Sequence, residues 1–376
     1  MPRISDQREE IWSIIDEQGR RQSDGVTKTV SERDSGGRRG PEQDSPRATL
    51  GRMIHGYRDT QLVYIAARLG IPDLLSAGPA SAATLADAIG ADADALRRVL
   101  RALASNGVVA EDVDGRFRLT PLGEPLRAGV PGSLREAALL NGAVDYPAFG
   151  ALLDALRAEQ TPFVRVFGTD FFDYLTRDDD LGDVFNRFMA RVTTRMAAAA
   201  LEAYDLSPIH TVVDVGGGYG TLLAAILTAR PHIHGTLLET SAVAPRARRY
   251  IAEAGLADRC AVVEGDFFTA VPAGGDAYLL SQILHDWDDE RCLRVLARCR
   301  QAINEGGRLL VVEQLLPDRV EGRAPVVESD LYMLALTGGR ERTVGAYRAL
   351  FAAASFDLAR VIPTRTHWTI LEGLPR

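Results

Sequence analysis

Residues 212 to 231, VVDVGGGYGTLLAAILTARP, carry an apolar strand into a glycine cluster and then into a helix. Backbone of that kind can approach the phosphates of a nucleoside triphosphate, the pyrophosphate of a dinucleotide, or an adenosyl group with no phosphate. A phosphate loop needs Gly-Lys followed by Ser or Thr, and here the glycines run into Tyr219, Gly220 and Thr221 with no lysine. A nicotinamide site wants GxGxxG, whereas Gly216-x-Gly218 is followed by Thr221 at the third glycine's place, with Gly220 one position early. An adenosyl sulfonium asks instead for backbone close to its amino-acid end and a carboxylate at the end of the second strand, where two ribose hydroxyls can donate to it. Glu239 ends that strand, 23 residues after Gly216 (239 minus 216), the reach of one crossover helix. Asp214, at the end of the first strand, stands where a negative charge would favour a sulfonium; it could also cap the loop that follows.

The elements that must hold these residues read as a doubly wound α/β sheet from about Ser207. TVVDV, GTLLE, CAVVEGD, DAYLLSQIL and GRLLVVEQL are five strands, with helices between them over Gly220 to Arg230, PRARRYIAEAG and DERCLRVLARCRQAI. Ahead of the sheet, residues 129–205 read as mostly helical. There Phe163, Phe167, Phe171, Phe172, Tyr174, Phe185, Phe188 and Met189 crowd one stretch. About half of these are expected in the core and the others along a slot for a flat aromatic ligand. Residues 47–128 give short helices and then a hairpin around Asp114-Gly115, a favoured tight-turn pair, in the order of a winged helix. In QLVYIAARLGIPDLL, Leu62, Ile65, Ala66 and Leu69 share one helix face until Gly70 and Pro72 stop it. These apolar helices are too many for so small a body, which predicts a homodimer with Leu62 to Leu75 in its interface. Residues 1–46 form a polar arm expected to be mobile, except that Ile11, Trp12, Ile14 and Ile15 could make a short docking helix.

A chain of 376 residues has room for two domains, taken here as the winged-helix domain and, over 206–376, the sheet domain. Its formal net charge of -8 disfavours a nucleic-acid partner, and Asp87, Asp92 and Asp94 beside Arg97, Arg98 and Arg101 spoil the basic helix a DNA reader would need. Cys260, Cys292 and Cys299 lack CxxC spacing and read as reduced thiols of a cytoplasmic protein. No apolar run reaches the ~18 residues of a membrane span, and the N-terminus is charged rather than signal-like, so no membrane partner is expected.

DVGGGYG, LLE, GDFF, ILHDWDDE, GGRLLVVEQLLP and GGRERT occur in an order and spacing that resembles the S-adenosylmethionine-dependent small-molecule O-methyltransferases of the plant caffeate and bacterial antibiotic type. The similarity covers roughly residues 49 to 372, and the Ala, Arg and Gly richness looks like that of a bacterial member. It implies a Rossmann-like methyltransferase domain behind a mainly helical winged-helix dimerisation domain that forms an intertwined homodimer. It also implies that Gly216, Gly218 and Gly220 approach the cofactor and that Glu239 binds its ribose. Asp266 would stand near the adenine amine, with Phe267 against the ring, Phe268 beside them, and Ser281 near the methionine portion. His285 matches the catalytic base, with Asp286 beside it near the substrate, and Glu313 and Glu341 match the acidic pair that flanks the imidazole.

The chemistry is self-consistent. Methyl transfer from a sulfonium to oxygen, leaving S-adenosylhomocysteine, needs a phenol's proton removed, and a histidine can take it as the oxygen attacks. A carboxylate on the far ring nitrogen fixes the tautomer and stabilises the imidazolium. His55, His210, His232, His234 and His367 lie outside any such setting and receive no role. A histidine base makes a metal unnecessary, and the acids of DWDDE are explained by a helix dipole, so no metal is expected. The aromatic stretch, with Asn141, Met333 and Leu334 opposite, suggests a flat ring system bearing a hydroxyl, such as a polyketide-derived phenol or an aromatic acid. Two other readings stay open: a relative of changed chemistry (a hydroxylase, decarboxylase or cyclase), and a winged-helix regulator with a ligand-sensing domain.

Overall fold

The computed structural model describes residues 45–157 and 160–376. The proposed docking helix near Trp12 lies outside the described residues. The chain divides into two units, Met1–His55 and Gly56–Arg376. Of the first, residues 45–55 are described, and they form the start of helix α1 (Pro46–Arg68).

In the second unit, α2 (Ile71–Leu75), α3 (Ala82–Ile89) and α4 (Ala93–Ser105) precede a small antiparallel sheet of β1 (Ala80–Ser81), β2 (Val109–Glu111) and β3 (Arg116–Leu119), in the order β1-β3-β2. Ser81 and Asp92 cap α3 and α4 by accepting from Thr84 N and Ala95 N, which satisfies donors that a helix start leaves free. The hairpin is wider than the Asp-Gly pair alone suggested. Residues 112–115 form the loop, Asp112 Oδ1 accepts from both Asp114 N and Arg116 N, and Gly115 takes the left-handed turn at φ +72°.

Part of the stretch expected in a homodimer interface, Leu62 to Leu75, is taken by the chain's own core. Ala66, Ala67, Ile71 and Leu75 are buried with Leu85, Leu100 and Phe117, while Leu62, Val63, Tyr64 and Ile65 are half-buried and Leu69 and Leu74 are exposed. Side chains on one turn of a helix cannot all face inward, and the core takes the Ala66 side. An unfilled apolar stripe appears earlier on α1, at Leu50, Met53, Ile54 and Tyr57, which repeat at helical spacing and are all exposed.

Helices α5 (Arg135–Leu140), α6 (Tyr146–Gly150), α7 (Leu152–Ala155), α8 (Pro162–Phe167), α9 (Phe171–Arg177) and α10 (Asp179–Ala203) follow. The large sheet then contains β4 (Thr211–Val215), β5 (His234–Glu239), β6 (Cys260–Glu264), β7 (Ala277–Ser281), β8 (Arg308–Glu313), β9 (Phe356–Pro363) and β10 (Thr369–Pro375), ordered β6-β5-β4-β7-β8-β10-β9. The first five pair parallel. The last two form an antiparallel hairpin laid against β8, an addition that the sequence reading did not include. Apolar runs such as VVDV and RLLVV suit strands covered on both faces. Val212, Leu237, Leu279 and Leu310 face one core, and Val213, Leu238, Leu280 and Val311 face the other.

The strand order reverses between β4 and β7, and in such sheets the crevice outside the strand ends at that point takes the ligand. Asp214, Glu239, Ser281 and Glu313 stand at or next to the carboxyl ends of β4, β5, β7 and β8. Helix α11 (Thr221–Ala229) starts at this crevice behind Gly220, which has φ +80°. A Cβ on Gly220 would meet Leu237 Cδ2 at 3.0 Å and Ile251 Cδ1 at 3.2 Å, so this glycine permits close packing of helix on strand. Gly220→Ala is therefore expected to lower stability by ~1 to 3 kcal/mol through left-handed strain and crowding, read as a lower urea midpoint. An unchanged midpoint would show that neither term operates.

Candidate active site

One cavity of about 670 Å³ opens at the strand ends. Asp214, Gly216, Gly218, Glu239, Asp266, Phe267, Phe268 and Ser281, all proposed from sequence to hold a cofactor, line it, and Gly220 does not. The exception has the physical reason given above: Gly220 faces Leu237 and Ile251. Gly216 is the bare floor of this part of the cavity, with φ +72°, and a Cβ there would come within 2.9 Å of Ile283 Cδ1 and 3.2 Å of Phe267 Cε1.

Glu239 accepts from Gly218 N at 2.7 Å and from Thr240 N at 2.8 Å, one bond to each oxygen. Each oxygen keeps a lone pair, which suits a further donor. Burial pushes Glu239 up to about 7, against the pull of those two backbone donors. Asp214 is buried, and neither of its oxygens accepts a hydrogen bond from a described residue, so it does not cap the loop by hydrogen bonding. Burial and then the charge of Glu239 push it up to about 7. Two buried carboxylates, one of them without donors, beside a floor of glycine backbone and a phenylalanine ring fit a cationic adenosyl ligand. Asp266 turns both oxygens onto its own loop, accepting from Phe268 N and Thr269 Oγ1. Asp183 was missed from sequence. It accepts from the Tyr219 hydroxyl at 2.6 Å and pairs with Arg246 at 3.5 Å, which ties α10 to the glycine loop and to α12 (Ala244–Glu253).

The same cavity holds Asn141, Phe172, Phe185, Met189, Asp286 and Met333, the residues proposed to meet the substrate. The aromatic crowd splits. Phe163 is fully buried beside Phe167 and Tyr174, while Phe171, Phe172, Phe185, Phe188 and Met189 reach the cavity. Trp287, just ahead of α13 (Asp289–Ala302), joins them, its ring centroid 5.7 Å from that of Phe172. Leu334 points outward instead, because α14 (Pro325–Leu336) turns Met333 inward. His367, given no role from sequence, also lies in the wall.

His285 sits on a short turn, Leu284–Asp286, that follows β7. Its Nδ1 is 3.0 Å from Glu341 Oε1 and 3.5 Å from Glu313 Oε2, and all three residues are buried. The two glutamates lie behind the ring and His285 lines the cavity, so the other ring nitrogen is left for a ligand. Glu313 Oε1 also accepts from the backbone N–H groups of Ile283, Leu284 and His285, and Ser329 donates to Glu341 Oε1 at 2.6 Å. Burial alone would make the imidazole a weaker base. Glu313, Asp286 and Glu341 reverse that and hold it above its ordinary range. The glutamates themselves, with this histidine, form a cluster whose ligand-type atoms lie within 4.8 Å of one another.

The GGRERT stretch acquires a physical meaning here. A Cβ on Gly339 would fall 2.0 Å from the His285 carbonyl oxygen, so only glycine lets the two segments touch. Arg340 N donates to that same oxygen. Arg342, which the sequence reading passed over, is buried and donates to the carbonyls of Leu284 and Trp287, each at 2.7 Å. It brackets His285 from both sides, and Asp289 at 2.7 Å balances its charge. Glu341 is accordingly no solvated charge between arginines; it is 2% exposed.

Residues 149–357 match the model of the O-methyltransferase domain and residues 52–127 that of the O-methyltransferase dimerisation domain. The phenazine O-methyltransferase of Lysobacter antibioticus is 45% identical over 325 residues, covering 86% of this chain and 94% of that protein. The crystal structure of an O-methyltransferase from neocarzinostatin biosynthesis, in complex with S-adenosyl-L-homocysteine and 1,4-dihydroxy-2-naphthoic acid, matches with a TM-score of 0.77 and 35% identity, covering 85% of this chain and 96% of that one. The aclacinomycin 10-hydroxylase of Streptomyces purpurascens is 41% identical over 303 residues, 78% of this chain and 80% of its own. On both domain matches and on this identity along most of its length, the chain belongs to the S-adenosylmethionine-dependent O-methyltransferases.

Proposed function

We propose that this enzyme methylates a phenolic hydroxyl on a flat aromatic secondary metabolite, with His285 as general base. The observation that carries the reading is the buried Nδ1 contact with Glu341, which commits one ring nitrogen to a carboxylate and frees the other for the cavity. S-adenosylmethionine, when bound, supplies an electrophilic methyl group on a sulfonium; Gly216, Gly218, Glu239 and Asp214 would hold it, with Phe267 against its adenine. His285 takes the proton of the acceptor hydroxyl as the oxygen becomes the nucleophile. Glu341 stabilises the imidazolium through the hydrogen bond, and Glu313 adds negative charge while fixing the turn. Because these carboxylates raise the ring's proton affinity towards that of a phenolate, moving the proton costs less than it would to an ordinary imidazole, whose pKa is ~6.5 against ~10 for a phenol. Phe172, Phe185, Met189, Met333 and Trp287 would flank the acceptor ring, with Asn141 and Asp286 as polar contacts.

No metal is needed in this scheme. The imidazole takes the proton itself, so no Lewis acid has to activate the hydroxyl. The relative named as a hydroxylase keeps the changed-chemistry reading alive for the family, and the complete base arrangement here favours methyl transfer. We assign the enzyme to the cytoplasm, its three cysteines being buried free thiols. No helix among the described residues is long and apolar enough to cross a membrane. The small three-stranded unit is read as a winged helix serving assembly, with no nucleic-acid partner.

His285→Gln is expected to keep cofactor and acceptor binding while the rate at neutral pH falls ~10²-fold or more. The proton-free ring accumulates only as pH rises towards its raised pKa, so the wild-type rate should climb above neutrality. The mutant's rate should climb alongside it as solvent supplies phenolate, which ionises at ~10, close to the ring's raised value. Near-normal methylation by the mutant at neutral pH would remove His285 from the chemistry.

Glu239→Ala is expected to weaken S-adenosylhomocysteine by ~1.5 to 3 kcal/mol in calorimetry, since hydroxyl donors lose a charged acceptor. A carboxyl lifted to about 7 by burial is half protonated at neutral pH, and the ligand favours its ionised form. Affinity should therefore fall as pH drops from 8 to 6, by up to about tenfold, and Glu239→Gln should flatten that dependence. An equally steep dependence in Glu239→Gln would assign the proton to another group.

The exposed stripe of Leu50, Met53, Ile54 and Tyr57 on α1 supports a homodimer as the working form, the apolar face being covered by a second copy. Light scattering should report twice the chain mass at micromolar concentration, and Met53→Glu with Leu50→Glu should shift the protein towards monomer. A monomeric wild-type protein would end this reading.

A further inference from the structure

Asp145 is a buried acid for which the methylation scheme has no task. It ends a single π-helical turn, Asn141–Asp145, in which Tyr146 N bonds to Asn141 O. Pro147 has no N–H to give Ala143, so an ordinary α turn cannot close at this point, and such wide turns recur at functional sites. The residue is 6% exposed yet lines the cavity, and its Oδ1 accepts no hydrogen bond from a described residue. Tyr332, in the wall of the same cavity, directs its hydroxyl at this carboxyl group and also feels the charge of Asp286. Leu140, Phe171, Phe172 and Leu175 supply apolar surface around the same space. A carboxylate with a free oxygen in such a wall invites a donor, because leaving it bare costs the solvation it has lost.

The charge of the cavity narrows the donor's chemistry. Asp145, Asp179, Asp214, Glu239, Asp266, Asp286 and Glu328 line it against Arg246, His285 and His367, and of these acids Asp145 and Asp286 act on Tyr332. An anionic substituent is repelled here, and a neutral or cationic donor is welcomed.

We propose that Asp145 and Tyr332 form a subsite for a hydrogen-bond-donating substituent, an amino or a hydroxyl group, on the aromatic acceptor, and that this subsite turns away acceptors carrying a carboxylate. The proposal rests on the reading of the cavity as the home of an aromatic acceptor, and it removes the aromatic acids that the sequence had left open.

The test uses the full-length enzyme saturated with S-adenosylhomocysteine at pH 8, where Asp145, lifted to about 7 by burial, is largely ionised. Four probes share one hydroxyl position: naphthol, an aminonaphthol, a dihydroxynaphthalene and a hydroxynaphthoic acid. Calorimetry should show the amino or the dihydroxy probe binding about tenfold tighter than naphthol, and the acid binding more weakly than naphthol. The stronger of the first two arms identifies the donor. Asp145→Leu should erase the preference and relieve the exclusion of the acid; Asp145→Asn, which keeps the shape, should relieve the exclusion even if the leucine variant fails to fold. Tyr332→Phe should reduce the preference without admitting the acid. Equal affinities in the wild type, or an undiminished preference in Asp145→Leu, would overturn the subsite. Turnover with S-adenosylmethionine separates the two readings. Discrimination in binding with no methylation of any probe would leave the subsite standing and sink the phenol methyltransferase reading, and methylation without discrimination would do the reverse.

Discussion

The site depends on one carboxylate that never reaches solvent. Glu313, fully buried at the end of β8, accepts through Oε1 from three successive backbone N–H groups of the segment that carries His285. Three donors on one oxygen hold that segment to the neighbouring strand, so the imidazole is placed by the sheet and not by a free loop. The strand end before it is bent to suit: Gln282 adopts φ +57°, a left-handed backbone rarely taken by a residue with a side chain, and its N–H is secured by Val312 O. The strain is held there because the next three residues are fixed by Glu313 from one side and by Arg342 from the other.

This arrangement also separates two tasks that a single acid would confuse. Glu341 meets Nδ1 at hydrogen-bond distance, whereas Glu313 Oε2 stands 3.5 Å away and acts through charge. One residue chooses the tautomer, and the other keeps the turn in place while deepening the negative potential. Ser329 on α14 steadies Glu341, and Asp330 accepts from its backbone N–H, so the helix that presents Met333 and Tyr332 to the cavity also orients the carboxylate behind the imidazole. A substitution on α14 can therefore alter acceptor fit and proton affinity together.

Much of this was legible in the chain because its signals are local. Strand–glycine–helix spacing pointed to Asp214 and Glu239, and both line the cavity. The ILHDWDDE and GGRERT motifs led to His285 and Glu341, which touch across 56 residues of sequence. What escaped was decided by packing. Gly220 has the same residue type and the same sign of φ as Gly216, yet one faces Leu237 and the other the cavity, a difference set by the helix that follows. Arg342 looked like one of many surface arginines, and only the close approach at Gly339 shows why it is buried. Leu62 to Leu75 could not be assigned to core or interface from periodicity, since both are apolar; the small sheet took Ile71 and Leu75. The terminal hairpin β9 and β10 has an exposed, charged outer strand at Arg360 and Asp357, and its alternation is too weak to announce a sheet edge.

The acid content of the cavity gives it a direction. Asp214, Glu239 and Asp286 are each lifted above the usual carboxylate range, burial being the largest cause in all three, which means that their ionised forms are poorly compensated in the protein alone. A ligand that brings positive charge relieves them, whereas a ligand with no net charge at that end does not. The His285 cluster obeys the same rule, since a protonated imidazole compensates Glu313, Asp286 and Glu341. Negative charge that is costly in the empty protein is thus held in reserve for a cationic ligand or a proton. Neutralising one of these acids would relieve the empty protein and weaken whatever that acid compensates, which is a physical reason for a stability optimum and an activity optimum to lie apart in this fold.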